Sequence, residues 1–220
     1  MKPVSVVVDN GEELLEKCIA SLRNQTVEPR VVIAMGPRSD RELCESLADK
    51  VYGPFKGIGE GRTYAIVKEK VDYIVSCDAD TVYIPEYVEY ALQDLKTFTA
   101  VKAGVILPHK PSPLGVFESA IHHLIPYEFS ICFRRNVFLQ YKLHLEDYSW
   151  EKADFGYYMF RKGWFPTIDP RMVCYTRFPT RGAKQLSKYL PAAIGALVAA
   201  TLPLAPAIIN ELNKVLPKKL

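Results

Sequence analysis

Two carboxylates one residue apart, Asp78 and Asp80, come directly after the run Val71-Asp72-Tyr73-Ile74-Val75-Ser76-Cys77. The run is short, apolar and β-branched at its centre, which suits a strand buried on both faces of a parallel sheet. Ligands of open α/β sheets bind in the crevice beyond the carboxyl ends of the strands. Both aspartates are therefore expected to reach into such a crevice. An Asp-x-Asp pair offers hard oxygen ligands to Mg2+ or Mn2+. Such an ion needs further oxygens, and the diphosphate of a nucleotide supplies them. Asp-x-Asp also arises by chance in loops, so its place at a strand end is what points to a metal site.

A second acidic group lies further on. Glu146, Asp147, Glu151 and Asp154 put four carboxylates into nine residues, interleaved with Trp150 and Lys152. His122 and His123 are adjacent, and adjacent residues on a regular element point apart, so they read as one exposed and one packed histidine. Arg134-Arg135 either opens a surface turn or offers one phosphate contact. Trp164 reads as core, and Trp150, next to the carboxylates, either as core or as a stacking face.

The elements that must position these groups alternate. Val4 to Val8 is a buried strand ending at Asp9-Asn10-Gly11, and Leu14, Leu15, Cys18, Ile19 and Leu22 then share one helix face. Asn10 and Glu13 stand at capping-box spacing. A strand over Arg30–Ala34 leads through Gly36-Pro37-Arg38-Ser39-Asp40 to a helix for which Ser39 and Glu42 are the expected caps. Val51-Tyr52 is a short strand, and Gly57–Arg62 reads as a loop before a helix that runs to Lys68. After Asp80, Pro85 opens a helix with Val88, Ala91, Leu92 and Leu95 on one side. Strands are expected over Val101–Leu107, Phe129–Phe133 and Met172–Tyr175, and a helix over Phe155–Lys162 that stops at Gly163. Pro108–Pro126 reads as irregular. This alternation predicts a doubly wound α/β domain with a mixed sheet flanked by helices.

At 220 residues the chain holds one such domain plus an appendage. With 49% hydrophobic and 24% charged residues it is globular and not disordered. The net charge is +3, but Lys184 to the end contributes five lysines against Glu211, or +4, leaving about −1 for the body. A body without basic bias argues against nucleic acid as a partner. Five widely spaced cysteines read as buried thiols of a reducing compartment. Val4–Val8 is too short for a signal peptide, so a cytoplasmic location is expected.

From about Gly182 the composition changes, setting a domain at 1–181 against a tail at 182–220. Tyr189 to Ile209 carries no charge and is flanked by lysines, a length that reaches across a bilayer, though Pro191, Pro203 and Pro206 interrupt it. The expectation is a membrane-attaching segment, spanning or interfacial. The other reading is a helical hairpin that covers an apolar patch on the body or on a partner subunit, as in an oligomer.

Five pieces of the chain, taken in order, resemble the GT-A glycosyltransferases, and within them the inverting enzymes of glycosyltransferase family 2. They are Val4–Val8 with Asn10 and Ser21-Leu22-Arg23-Asn24-Gln25-Thr26; Gly36–Asp40; Gly59-Glu60-Gly61-Arg62; Cys77-Asp78-Ala79-Asp80; and Glu151–Phe155 with Gly163-Trp164. The similarity spans about residues 4 to 176. It implies a GT-A fold and a UDP- or GDP-linked sugar donor, with base and ribose near the first strand end and the Gly36–Asp40 loop. Asp78 and Asp80 then hold Mn2+ or Mg2+ and the ribose–phosphate, Arg62 adds a cation beside the phosphates, and a hydroxyl acceptor attacks the sugar with help from a carboxylate base. The hydrophobic tail points to a lipid-linked or membrane-proximal acceptor.

The chain also departs from the pattern. Lys152 occupies the place where the base aspartate often sits, which passes the role to Asp154 or Glu151, with Asp147 as an outside candidate. Asp154 is favoured because the dipole of a helix start keeps a carboxylate ionised. Ala34-Met35-Gly36 replaces the acids that often contact the nucleobase, leaving Asp9 and Asp40 as candidates for that contact. Tyr175 and Arg177 stand where some relatives carry a third metal ligand, a role that suits neither. Nucleotidyl transfer is a rival activity, but Asp9-Asn10-Gly11 lacks the basic, glycine-rich phosphate cradle it needs. A non-catalytic, membrane-tethered nucleotide-binding scaffold is the other alternative.

Overall fold

The computed structural model describes residues 3–110, 131–141, 158–159, 161–164 and 166–177. All of them belong to the unit Met1–Phe178. In chain order the elements are β1 (Val4–Asp9), α1 (Leu15–Arg23), β2 (Arg30–Met35), α2 (Arg41–Leu47), β3 (Lys50–Tyr52), α3 (Ile58–Lys68), β4 (Tyr73–Asp78) and β5 (Thr81–Tyr83). After these come α4 (Tyr87–Leu95), β6 (Ala100–Pro108), β7 (Ile131–Arg134), α5 (Arg135–Leu139) and β8 (Thr167–Thr176).

The strands form one sheet in the order β3-β2-β1-β4-β7-β6-β8-β5. The first four in that order run parallel, with Val8 of β1 beside both Ala34 of β2 and Asp78 of β4. The other half is mixed, because β7 runs antiparallel to β4 and β6, β8 runs parallel to β6, and β5 runs antiparallel to β8. This is the expected mixed α/β sheet with helices on its faces.

Alternation along the strands fills two cores. Val7, Val31, Ile33, Val75 and Cys77 point to the side covered by α1, α2 and α4, where Leu15, Cys18, Ile19 and Leu22 form the buried stripe of α1. Val4, Val6, Val8, Val32, Ala34 and Ile74 point to the other side, against Ala65 and Ile66 of α3 and Val137 and Phe138 of α5. Both faces being covered, β1 and β2 read as nearly unbroken apolar runs. Burying each Val, Leu or Ile side chain contributes about 1.5–3 kcal/mol.

Several local expectations are corrected. Gly57–Arg62 is not a loop: Gly57 caps α3, and Gly59, Gly61 and Arg62 lie inside its first turns. A Cβ on Gly61 would stand 3.0 Å from the Phe55 ring and 3.3 Å from Ala34 Cβ, so the glycine lets α3 approach the sheet closely. The capping box at Asn10 and Glu13 does not form; Leu14 is the N-cap of α1 and its side chain makes no cap bond. At α2 the cap is Asp40, whose carboxylate accepts from the Leu43 N–H at 3.1 Å, and not Ser39. β5 has no counterpart among the expected strands, and β8 is more than twice as long as its Met172–Tyr175 core. Its early part contains Pro170 and shifts register against β6 between Ala103 and Val105, an irregularity that accommodates a residue without an N–H to donate.

The chain does turn at Gly163 as expected. Its φ is +70°, and the Trp164 N–H reaches back to the Met159 carbonyl at 2.9 Å, the hydrogen-bond pattern of a glycine-terminated helix. Among the described residues no helix is long and apolar enough to cross a membrane. The tail from Gly182 lies outside them.

Candidate active site

Asp78 ends β4, and its geometry is dominated by Arg62. Arg62 is 3% exposed on α3, and its guanidinium donates to Asp78 Oδ1 at 2.7 Å, to the Cys77 carbonyl at 3.2 Å and to Ser76 Oγ. A planar fork with fixed donors suits this task, because one side chain satisfies three acceptors along a strand end. The Ala79 N–H donates to the Val8 carbonyl at 3.2 Å, so the turn that carries both aspartates is tied to β1.

Asp80 lies beyond that turn, half-buried, facing the end of β8. Thr81 Oγ1 is 3.2 Å and Thr176 Oγ1 3.5 Å from Asp80 Oδ1, and the two hydroxyls are 3.0 Å apart. The Arg177 N–H donates to the Asp80 carbonyl at 3.2 Å, while the Arg177 guanidinium pairs with the exposed Glu13 at 3.1 Å. β5 is placed by the Ser21–Thr26 segment: Ser21 Oγ accepts the Tyr83 N–H at 3.1 Å, and Gln25 bridges the Ile84 carbonyl at 2.7 Å and the Val88 N–H at 2.9 Å. The sequence points to this segment, and its work is to anchor the short strand on the far side of the aspartates.

Beside Asp78, across Val8, an open cavity of about 230 Å3 lies between the ends of β1 and β2 and the start of α3. Val8, Asp9, Ala34, Met35, Phe55 and Ile58 are among its walls. Asp9 is 1% exposed, and its two oxygens accept the N–H groups of Gly11 at 3.1 Å and Glu12 at 2.9 Å. It shapes the chain as it leaves β1. Asp40 is exposed and caps α2, away from the cavity lining. Ser39 closes the loop between them, donating to the Asp9 carbonyl at 3.0 Å and accepting from the Gly36 N–H at 3.2 Å.

All five cysteines are free and buried. Burial, and then the neighbouring thiol of Cys77 and the charges of Asp80 and Asp78, push the Cys18 thiol well up. Burial and then the charge of Asp9 push Cys44 to about 11. Neither is a nucleophile at neutral pH.

Arg134 and Arg135 stand at the opposite end of the sheet, beside Tyr73 at the start of β4. Arg134 donates to the Leu95 and Lys96 carbonyls at 2.8 and 2.7 Å, and Arg135 to those of Ile66 and Val67 at 2.9 and 2.7 Å. Arg134 ends β7 and Arg135 opens α5, and each guanidinium caps the C-terminal end of a different helix, α4 and α3. Both guanidiniums are engaged by backbone carbonyls at the end of the sheet away from Asp78. Trp164 packs against the α3 side of the core. His122, His123, Asp147, Trp150, Glu151, Lys152 and Asp154 lie outside the described residues.

Asp78 and Asp80 are the site's hard oxygen donors, and no group of three His, Cys, Asp or Glu side chains that could hold an ion converges among the described residues. This set suits a Mg2+-type cation, which takes one or two carboxylates and completes its shell with phosphate oxygens and water.

The family profile described as Glycosyl transferase family 2 matches residues 4–165. The chain belongs to glycosyl transferase family 2. A comparison with curated proteins gives no match. Among solved structures, glucosyl-3-phosphoglycerate synthase from Mycobacterium tuberculosis, in complex with Mn2+, UDP-glucose and phosphoglyceric acid, is similar at a TM-score of 0.64 and 16% identity over 90% of this chain and 79% of that one. The mannosyltransferase PcManGT from Pyrobaculum calidifontis, in complex with GDP-Man and Mn2+, gives 0.62 and 16% over 99% and 81%. TarS 1-349 from S. aureus, in complex with UDP, gives 0.58 and 15% over 88% and 65%. The chain spans 37% of the longer TarS structure. At these identities the likeness is one of fold, and the fold of this family 2 chain is the expected GT-A fold.

Proposed function

We propose that this family 2 chain is a glycosyltransferase that moves a sugar from a nucleotide-sugar to a hydroxyl acceptor with inversion, using Mn2+ or Mg2+. The observation that carries the reading is the juxtaposition at the end of β4. Asp78 neighbours Val8, which lines a cavity that opens between the strands, Asp80 follows it across one turn, and Arg62 fixes the first carboxylate, in a chain of this family. The complexes of the similar structures, with UDP, UDP-glucose and GDP-Man, support a nucleotide-sugar donor.

In this reading the nucleoside occupies the cavity, against the backbone that Asp9 and Ser39 hold in shape. Asp80 and the outer oxygen of Asp78 hold the divalent ion, which when bound stabilises the charge developing on the departing diphosphate. Arg62 holds Asp78 by an ion pair and adds positive charge near the phosphates. Asp154, or Glu151 in its place, takes the proton of the acceptor hydroxyl as it attacks the anomeric carbon from the face opposite the diphosphate. The uncharged, lysine-flanked run Tyr189–Ile209 supports a membrane-proximal acceptor at the cytoplasmic face.

Donor hydrolysis by the purified protein with Mn2+, across a panel of nucleotide-sugars, tests the reading. One donor is expected to be hydrolysed slowly, with loss of activity in Asp80→Asn and in Asp154→Ala. Loss in Glu151→Ala alone moves the base to Glu151. No turnover together with no calorimetric binding of UDP or GDP overturns the assignment.

A further inference from the structure

The Asp80 carboxylate is gripped from β8. Thr81 and Thr176 are each 1% exposed and directly opposite one another in the β5–β8 pair, and both hydroxyls approach the same oxygen, Asp80 Oδ1. The Arg177 N–H holds the carbonyl of the same residue. Each hydroxyl has one proton to donate. With the two oxygens 3.0 Å apart, one hydroxyl can donate to the other, and the second proton then goes to Oδ1. Whichever order holds, two neutral groups from a strand pair restrain the carboxylate's rotation about its last bond.

We infer that Thr176, together with Thr81, is the positioning pair for Asp80, setting the orientation in which this carboxylate takes a divalent cation. The inference rests on the reading of the site proposed above. Partners that orient a metal-ligating carboxylate typically contribute about 10–100-fold in metal affinity. Because the hydroxyls are uncharged, replacing them leaves the site's net charge as it was. Valine matches threonine in shape, so the replacement also keeps the β5–β8 packing.

The experiment is Mn2+ titration of the full chain, monitored by electron paramagnetic resonance, in the presence of saturating UDP or GDP, whichever binds. Wild type, Thr176→Val, Thr176→Ser, the Thr81→Val/Thr176→Val double variant and Asp80→Asn are compared, with melting temperature recorded for each. The double variant is expected to bind Mn2+ about 10–100-fold more weakly, Thr176→Val to fall between it and wild type, and Thr176→Ser to recover wild-type affinity. Unchanged Mn2+ affinity in the double variant overturns the inference, as does a lowered melting temperature with affinity intact, which is what a purely structural pair would give. Should the valine variants not fold, a serine variant that binds Mn2+ more weakly than wild type overturns it as well. If wild type and Asp80→Asn bind Mn2+ alike, it is the reading of the site that fails.

Discussion

Arg62 and Asp78 form an ion pair between a side chain 3% exposed and one 24% exposed, at 2.7 Å. That asymmetry sets the cost of breaking it. Removing the guanidinium takes a charge-assisted hydrogen bond from a carboxylate that water can only partly reach, and also ends its bonds to Ser76 and to the Cys77 carbonyl. Breaking a buried pair from one side costs about 3–5 kcal/mol, so Arg62→Met is expected to reach the lower part of that range, because Asp78 can rehydrate in part. Asp78→Asn keeps a carbonyl oxygen facing the guanidinium but removes the negative charge opposite the more buried partner, so it is expected to cost at least as much. In the double variant the carboxylate no longer needs a partner, so the two losses do not add. A hydrogen bond to a charged group contributes about 1.5–3 kcal/mol, and the coupling energy of the cycle is expected there. Urea unfolding of the four proteins at pH 7 measures it, since a domain of this kind has about 5–15 kcal/mol to lose. Coupling below about 0.5 kcal/mol, the scatter of independent sites, would refute the claim that Arg62 and Asp78 hold one another in place.

Two further outcomes concern the scaffold. A Cβ on Gly104 would stand 2.5 Å from the Asp169 carbonyl and 2.6 Å from Pro170 Cα, where β6 meets the irregular start of β8. Gly104→Ala is therefore expected to cost about 1–3 kcal/mol of overpacking, read as a fall in melting temperature of about 2–4 °C per kcal/mol; an unchanged melting temperature would show that the strands part freely. The acid limb of stability has opposite contributions on the two sides of Asp169. Burial raises the Asp49 and Asp169 carboxyls, but hydrogen bonds from Arg23 and the Val31 N–H to the first, and from Arg171 to the second, bring both below the ordinary range. Their stabilisation is present above an unfolded pKa of about 3.9 and disappears as pH falls through the folded values. Burial and then the charge of Asp169 raise Asp94, so its contribution is full at low pH and fades as pH rises through the raised value. Urea midpoints of Asp49→Asn and Asp169→Asn should fall below wild type at pH 7 and that of Asp94→Asn should rise above it; the Asp94 gap should close below about pH 3.9, and the other two only as pH falls further, through the lowered folded values. A gap that persists in acid would mean the losses come from packing and not from charge.

The parallel half of the sheet is legible in the sequence because burial on both faces leaves its mark as unbroken apolar strands at Val4–Val8 and Arg30–Ala34, each leading to a helix with a clear apolar stripe. The other half is not. β5 is three residues, Thr81-Val82-Tyr83, and becomes a strand only by pairing with β8, almost a hundred residues on. No local period announces a partner that distant. β8 contains Pro170, which argues against a strand, and only the register shift opposite Gly104 accommodates it. The helix caps mislead for a related reason: several polar residues stand near each helix start, and which one caps depends on what the others have already bound. Ser39 is engaged with Asp9 and Gly36, and the cap of α2 falls to Asp40.

The site shows the same limit more sharply. Residue types and spacing are enough to single out Asp78, Asp80 and Arg62, because carboxylates at a strand end and an arginine after glycines are local patterns. What the sequence leaves open is the division of labour between the two carboxylates. The family resemblance puts Arg62 at the phosphates, yet in the fold it pairs with Asp78, since α3 begins at Ile58, five residues before the expected start after Arg62, and turns the guanidinium onto the end of β4. An ion that approaches the pair therefore meets one carboxylate already half neutralised by Arg62, and a second, Asp80, approached by the uncharged hydroxyls of Thr81 and Thr176. Arg62 competes with an ion for Asp78, which is left to contribute the oxygen that faces away from the guanidinium. On that argument Asp80→Asn should weaken Mn2+ binding more than Asp78→Asn does, and the opposite order in a direct titration would show that Arg62 leaves Asp78 when the nucleotide arrives.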